Sequence, residues 1–123
     1  MVSLLFVAAV LGFLGVGLGA FGAHGLRAKI TPESLAVYQT GVQYHLIHTV
    51  AMVLAALLTD RLAATNWVLL AGWFFFGGII VFSGSLYILA ISGQRRWGAV
   101  TPIGGLLFLA GWALLAIAAL SGI

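Results

Sequence analysis

The 123-residue chain has no cysteine, and its only carboxylate side chains are Glu33 and Asp60. Without cysteine there are no disulfides, no thiolate metal sites and no iron–sulfur clusters. Both acids fall at the ends of apolar segments, so no carboxylate can orient a histidine within one. A hydrolytic triad or a carboxylate acid–base site therefore lacks its parts, which argues against an enzyme. Charged residues make up 6% of the chain, whereas a soluble globule uses about a quarter. Its few loop cations form no patch or stripe, which excludes nucleic acid as a partner and leaves attraction to anionic lipid heads.

What the chain has is hydrocarbon. Hydrophobic residues are 63% of it, and the mean hydropathy is +1.23. Four apolar runs, about 2–23, 32–58, 66–92 and 102–121, are long enough to cross a bilayer core of roughly 30 Å at 1.5 Å per residue. Short connections make neighbours antiparallel and leave no room for a second domain. The expected fold is all-α, one domain over 1–123, an antiparallel bundle of four transmembrane helices. Met1 to Leu11 carries no charge, so Ala20-Phe21-Gly22 is read as part of a retained helix, not as a signal-peptide cleavage site. Arg27, Lys29, Arg95 and Arg96 lie on one side and Arg61 on the other. By the positive-inside bias both termini face away from the cytoplasm.

Glycine organises the runs, with 17 in the chain. Ala8, Gly12, Gly15, Gly19 and Gly22 fall on one face of the first helix, and Gly104, Gly111 and Ala118 on one face of the fourth. Small residues allow the close backbone approach that drives helix packing in lipid, so glycine-rich helix contacts are expected. Two such faces exceed what one bundle needs, which favours a homo-oligomer. Thr31-Pro32 and Thr101-Pro102 each follow a basic loop, and both fit a threonine N-cap with proline at the first helical position. The pair admits a duplication of two hairpins as one account of the chain.

The polar residues concentrate in YQTGVQYHLIHTV, Tyr38 to Val50. His45 and His48 share a helix face. Counting back from Asp60 puts them roughly 22 and 18 Å into the membrane. At that depth ionisable side chains face the bundle interior and mark a site by default. Gln39 and Gln43 point elsewhere. Phe82 to Tyr87, FSGSLY, supplies hydroxyls at Ser83, Ser85 and Tyr87, with Gly84 for close approach. The histidines are expected to meet these hydroxyls, and Ser83→Ala or Ser85→Ala to be non-additive with His45→Ala. Two imidazoles are too few for a metal site on their own, and ligands three apart on one helix cannot take opposite axial positions on a haem. The candidate buried site is therefore His45, His48, Tyr44, Gln43, Ser83, Ser85 and Tyr87. A second candidate, a lipid-head or anion site on the basic side, comprises His24, Arg27, Arg95 and Thr101. The four tryptophans are assigned to interfacial belts or left without a role.

GAFGAHGL (Gly19 to Leu26), TGVQYHLIHT (Thr40 to Thr49), FSGSLY (Phe82 to Tyr87) and TPIGG (Thr101 to Gly105) together resemble the transmembrane protein 256 family of small four-helix membrane proteins, found in bacteria and animals. The resemblance covers nearly the whole chain. It implies an inner (plasma) membrane protein whose motif positions are His24, Gln43, Tyr44, His45, His48, Ser83, Ser85, Tyr87, Thr101 and Pro102. The family's molecular function is uncharacterised, so it adds no reaction.

Two functions follow. The favoured one is a non-catalytic accessory or scaffold protein with no cofactor, packed by its small faces against copies of itself or a larger membrane complex. The other is a protein that handles a metal, quinone, proton or small polar ligand through the buried His/Tyr/Ser site.

Overall fold

The computed structural model describes residues 2–121. Four helices in it are long and apolar enough to cross a membrane: α1 Val2–Leu26, α2 Pro32–Leu58, α3 Thr65–Ser92 and α4, whose α-helical part is Thr101–Leu120. Among the described residues there is no strand.

Local chemistry sets the ends. Thr31 is extended and its hydroxyl accepts the Ser34 amide at 3.1 Å, while Pro32 takes the first helical position, so α2 starts as the Thr-Pro pair predicts. α3 closes on Gly93, whose φ of 72° is the left-handed conformation glycine adopts at little cost. The start of α4 differs from expectation. Thr101 is not a cap, because Val100 before it is already helical and a 3₁₀ turn, Arg95–Ala99, leads in. The Thr101 hydroxyl instead packs inward on Ser85. The two Thr-Pro pairs are thus structurally unlike and no longer support a duplication.

Two of the helices change pitch. α1 is α-helical over Val2–Phe21 and finishes in a π turn, Gly22–Leu26, beyond its expected end. α3 is α-helical over Thr65–Gly78 and Gly84–Ser92, with a π turn at Ile79–Ser83 between them. In that turn the Gly84 amide reaches back to the Ile79 carbonyl, the five-residue span of π geometry.

α2 and α3 form the centre. α1 packs on α2, and α4 packs along α3. The glycines set both contacts. Up α1, Gly12, Gly15, Gly19 and Gly22 lie beside Thr49, Leu46, Val42 and Tyr38 in turn, an antiparallel register. On α4, Gly104 rests on the Phe82 backbone and Gly111 on the Phe75 ring. Both small-residue faces are therefore consumed inside one chain, which removes the argument for a homo-oligomer drawn from them. An apolar core of Leu4, Ala8, Met52, Ala55, Val68 and Phe75 fills the half nearer the α2–α3 loop. Leu26, Tyr38 and Ala90 pack together toward the basic side.

Candidate functional site

α2 carries its polar residues in two directions. Tyr38, Gly41, His45, His48 and Thr49 are buried, whereas Gln39 and Gln43 are exposed on the outer surface. Gln43 is therefore not part of the buried cluster.

His45 joins three helices. Its Nε2 lies 2.8 Å from the Leu11 carbonyl of α1, and its Nδ1 lies 2.8 Å from the Tyr87 hydroxyl of α3. A carbonyl only accepts, so Nε2 carries the proton. With the ring uncharged, as an isolated ion at this depth is costly, Nδ1 accepts the Tyr87 O–H. Gly15 makes the room, because a side chain there would crowd the imidazole.

His48 takes the opposite tautomer. Its Nδ1 is 2.9 Å from the Tyr44 carbonyl one turn earlier, so Nδ1 carries the proton. Its Nε2 accepts the indole N–H of Trp112 at 3.0 Å. Indole N–H can only donate, so the pairing fixes His48 as neutral. Phe108 stacks on this ring, with centroids 3.7 Å apart and planes 11° apart.

FSGSLY therefore meets one histidine and not the other. Tyr87 reaches His45, but Ser83 donates to the Gly41 carbonyl at 2.7 Å. Ser85 bonds the Phe82 carbonyl at 2.8 Å and the Thr101 hydroxyl at 2.6 Å. A serine side chain is short, and α3 lies close to α2 at Gly41, where a side chain would meet the Tyr87 ring and the Leu86 Cβ. The expected coupling of Ser83 and Ser85 to His45 is replaced by coupling of Tyr87 to His45.

Trp112 is the residue the sequence reading missed. It lies eleven positions past Thr101, about 16 Å down α4, which is too deep for an interfacial belt. That arithmetic was the available signal.

On the basic side, His24, Arg27 and Arg95 are exposed, and Thr101 is turned inward to Ser85. Arg95 shares a rim cavity with Glu33 and Ser34, which neither His24 nor Arg27 lines. The four do not form one pocket. Among the described residues no three of His, Cys, Asp and Glu come together in a way that could hold a metal, and no buried side-chain nitrogen or oxygen lacks a hydrogen-bond partner.

A family model described as a protein of unknown function, DUF423, matches residues 18–105, a span that contains all four motifs. The UPF0382 membrane protein YwdK of Bacillus subtilis (strain 168) is 48% identical over 111 residues, covering 90% of each chain. The UPF0382 inner membrane protein YgdD of Escherichia coli (strain K12) is 43% identical over 117 residues, 95% of this chain and 88% of the relative. No solved structure matches.

Proposed function

Because the chain belongs to the DUF423 family, whose UPF0382 relatives are membrane proteins, and is a multi-pass inner-membrane protein, we propose that it is a non-catalytic accessory protein whose histidines are structural. One observation carries this reading. All four ring nitrogens of His45 and His48 are already engaged within the chain. A metal or a transported proton would have to break one of those bonds first. Internal saturation of this kind serves register and rigidity.

Purified protein is expected to be colourless and to contain far less than one transition-metal ion per chain by elemental analysis. A haem absorbance band, or stoichiometric zinc or copper that disappears in His48→Gln, would overturn the reading.

Its partners in this role are the bilayer and, through outer faces not used inside the chain, a larger membrane complex. Both termini are placed outside the cytoplasm, on the strength of Arg27, Lys29, Arg95 and Arg96 lying together on one side. Alkaline phosphatase fused after Ile123 should be active and green fluorescent protein there dark, and the reverse pattern would invert the topology. Kinship with the transmembrane protein 256 proteins of animals is part of the same proposal, supported by the four motifs within the matched span.

A further inference from the structure

Gln39, Gln43, Ile47, Val50 and Leu54 are all exposed. Spaced three and four apart, they form one stripe along the outer face of α2. Unlike the glycine faces of α1 and α4, this face is not used inside the chain.

The apolar members of the stripe suit lipid, and Gln43 does not. α2 rises about 40 Å over its 27 residues. A hydrocarbon core of roughly 30 Å centred on the helix puts Gln43 about 11 Å inside the boundary on the basic side. A glutamine side chain is shorter than the lysine and arginine stems that reach head groups from within a membrane, so its amide stays in hydrocarbon. Thr40, beside the stripe, bonds its hydroxyl back to the Ala36 carbonyl at 3.1 Å. Among the described residues the side-chain amides of Gln39 and Gln43 have no hydrogen-bond partner. An unpartnered amide is costly at this depth, and polar side chains there normally turn toward another helix.

We infer that the outer face of α2 binds the same face of a second copy of the chain, with Gln43 bonded to Gln43 across a two-fold axis along the membrane normal. Two features select a second copy over another helix. The loop cations give every copy the same orientation, so the second copy brings its own Gln43 to the same depth. A carboxamide also carries both a carbonyl acceptor and N–H donors, so two of them related by a two-fold axis satisfy each other, as a contact between identical faces requires. Gln39 repeats the arrangement one turn nearer the head groups. No Asp, Glu, Lys or Arg occurs between Ala36 and Leu58, so like charges do not oppose the pairing. The contact uses none of the histidine bonds, so its failure and that of the structural role of His45 and His48 are told apart.

Because the chain has no cysteine, one introduced thiol can report the contact. Ile47→Cys lies one turn from Gln43 on the same stripe. Oxidised with copper phenanthroline in liposomes of phosphatidylethanolamine and phosphatidylglycerol, it should give a disulfide-linked product of two chains, with a yield that falls as the protein is diluted in lipid. Phe13→Cys, 80% exposed near the middle of α1, is the control for random collision and should give little product. Adding Gln43→Leu to Ile47→Cys should shift the half-maximal dilution by about eightfold, the loss of two reciprocal bonds of average strength between membrane helices. Circular dichroism and melting show whether that variant is folded, and Gln43→Ala takes its place if leucine disturbs it. Equal product from Ile47→Cys and Phe13→Cys, or an unchanged dilution curve for Gln43→Leu, overturns the pairing. So does oxidation in native membranes that joins Ile47→Cys to a different protein instead of to its own copy.

Discussion

His45→Ala is expected to lower stability by about 2–4 kcal/mol, read by reversible unfolding in mixed micelles. The substitution removes hydrogen bonds to both the Leu11 carbonyl and Tyr87. Bonds between membrane helices contribute about 0.6 kcal/mol on average, so two of them supply only about 1.2 kcal/mol, short of the expected loss. The remainder comes from the cavity left where a buried imidazole filled the junction of three helices. Tyr87→Phe removes one of the two bonds and no volume, and should cost about 1 kcal/mol. The double variant should then be non-additive by roughly one bond, because the two residues touch. Ser85→Ala should add to His45→Ala, since its partner is Thr101. A His45→Ala protein as stable as wild type, or strict additivity with Tyr87→Phe, would remove His45 as the link between helices.

Gly104→Ala should cost about 3 kcal/mol, the upper end of overpacking in a filled core, while Gly105→Ala next to it should lie within about 0.5 kcal/mol of wild type. The two differ in what the new methyl meets. At position 104 it runs into the amide nitrogen and Cα of Phe82. A side chain could swing away, but backbone can yield only if α3 and α4 separate along their length, which sacrifices dispersion contacts on both sides. At position 105 the methyl enters open space beside the Phe82 ring. Thermal melts of the two variants in the same detergent decide the matter. Equal melting temperatures would mean that α3 and α4 do not touch backbone to backbone.

The spans were legible because they are one-dimensional: a run of apolar residues either covers the hydrocarbon or it does not. The inward face of α2 was legible for the same local reason, since residues three and four apart share a helix face whatever packs against them. Partner identity is a matter of register between helices, and no single helix contains it. Ser83 could not be assigned to Gly41 without knowing how far α3 slides along α2. The glycine faces read as helix contacts within the bundle, but their surplus is assigned to a second copy, because nothing local says whether a small-residue stripe meets its own chain. Thr101 was misread as a cap because its local pattern matched Thr31, and only the 3₁₀ turn before it and Ser85 opposite tell the two apart.

The π turn at Ile79–Ser83 gives the length of α3, counted in codons, one residue of slack at a single place. Such a turn is what a helix becomes when it accommodates one surplus residue without shifting its two flanks. Loss of one apolar codon there would let the helix close into continuous α geometry with both flanks still in phase. Val68 and Phe75 would keep their places in the core, and Tyr87 would still reach His45 and Ser85 Thr101. The same loss inside Thr65–Gly78 would turn the residues between it and the π turn by about 100°. Two in-frame deletions alike to any hydropathy profile would therefore differ in whether the bundle survives them.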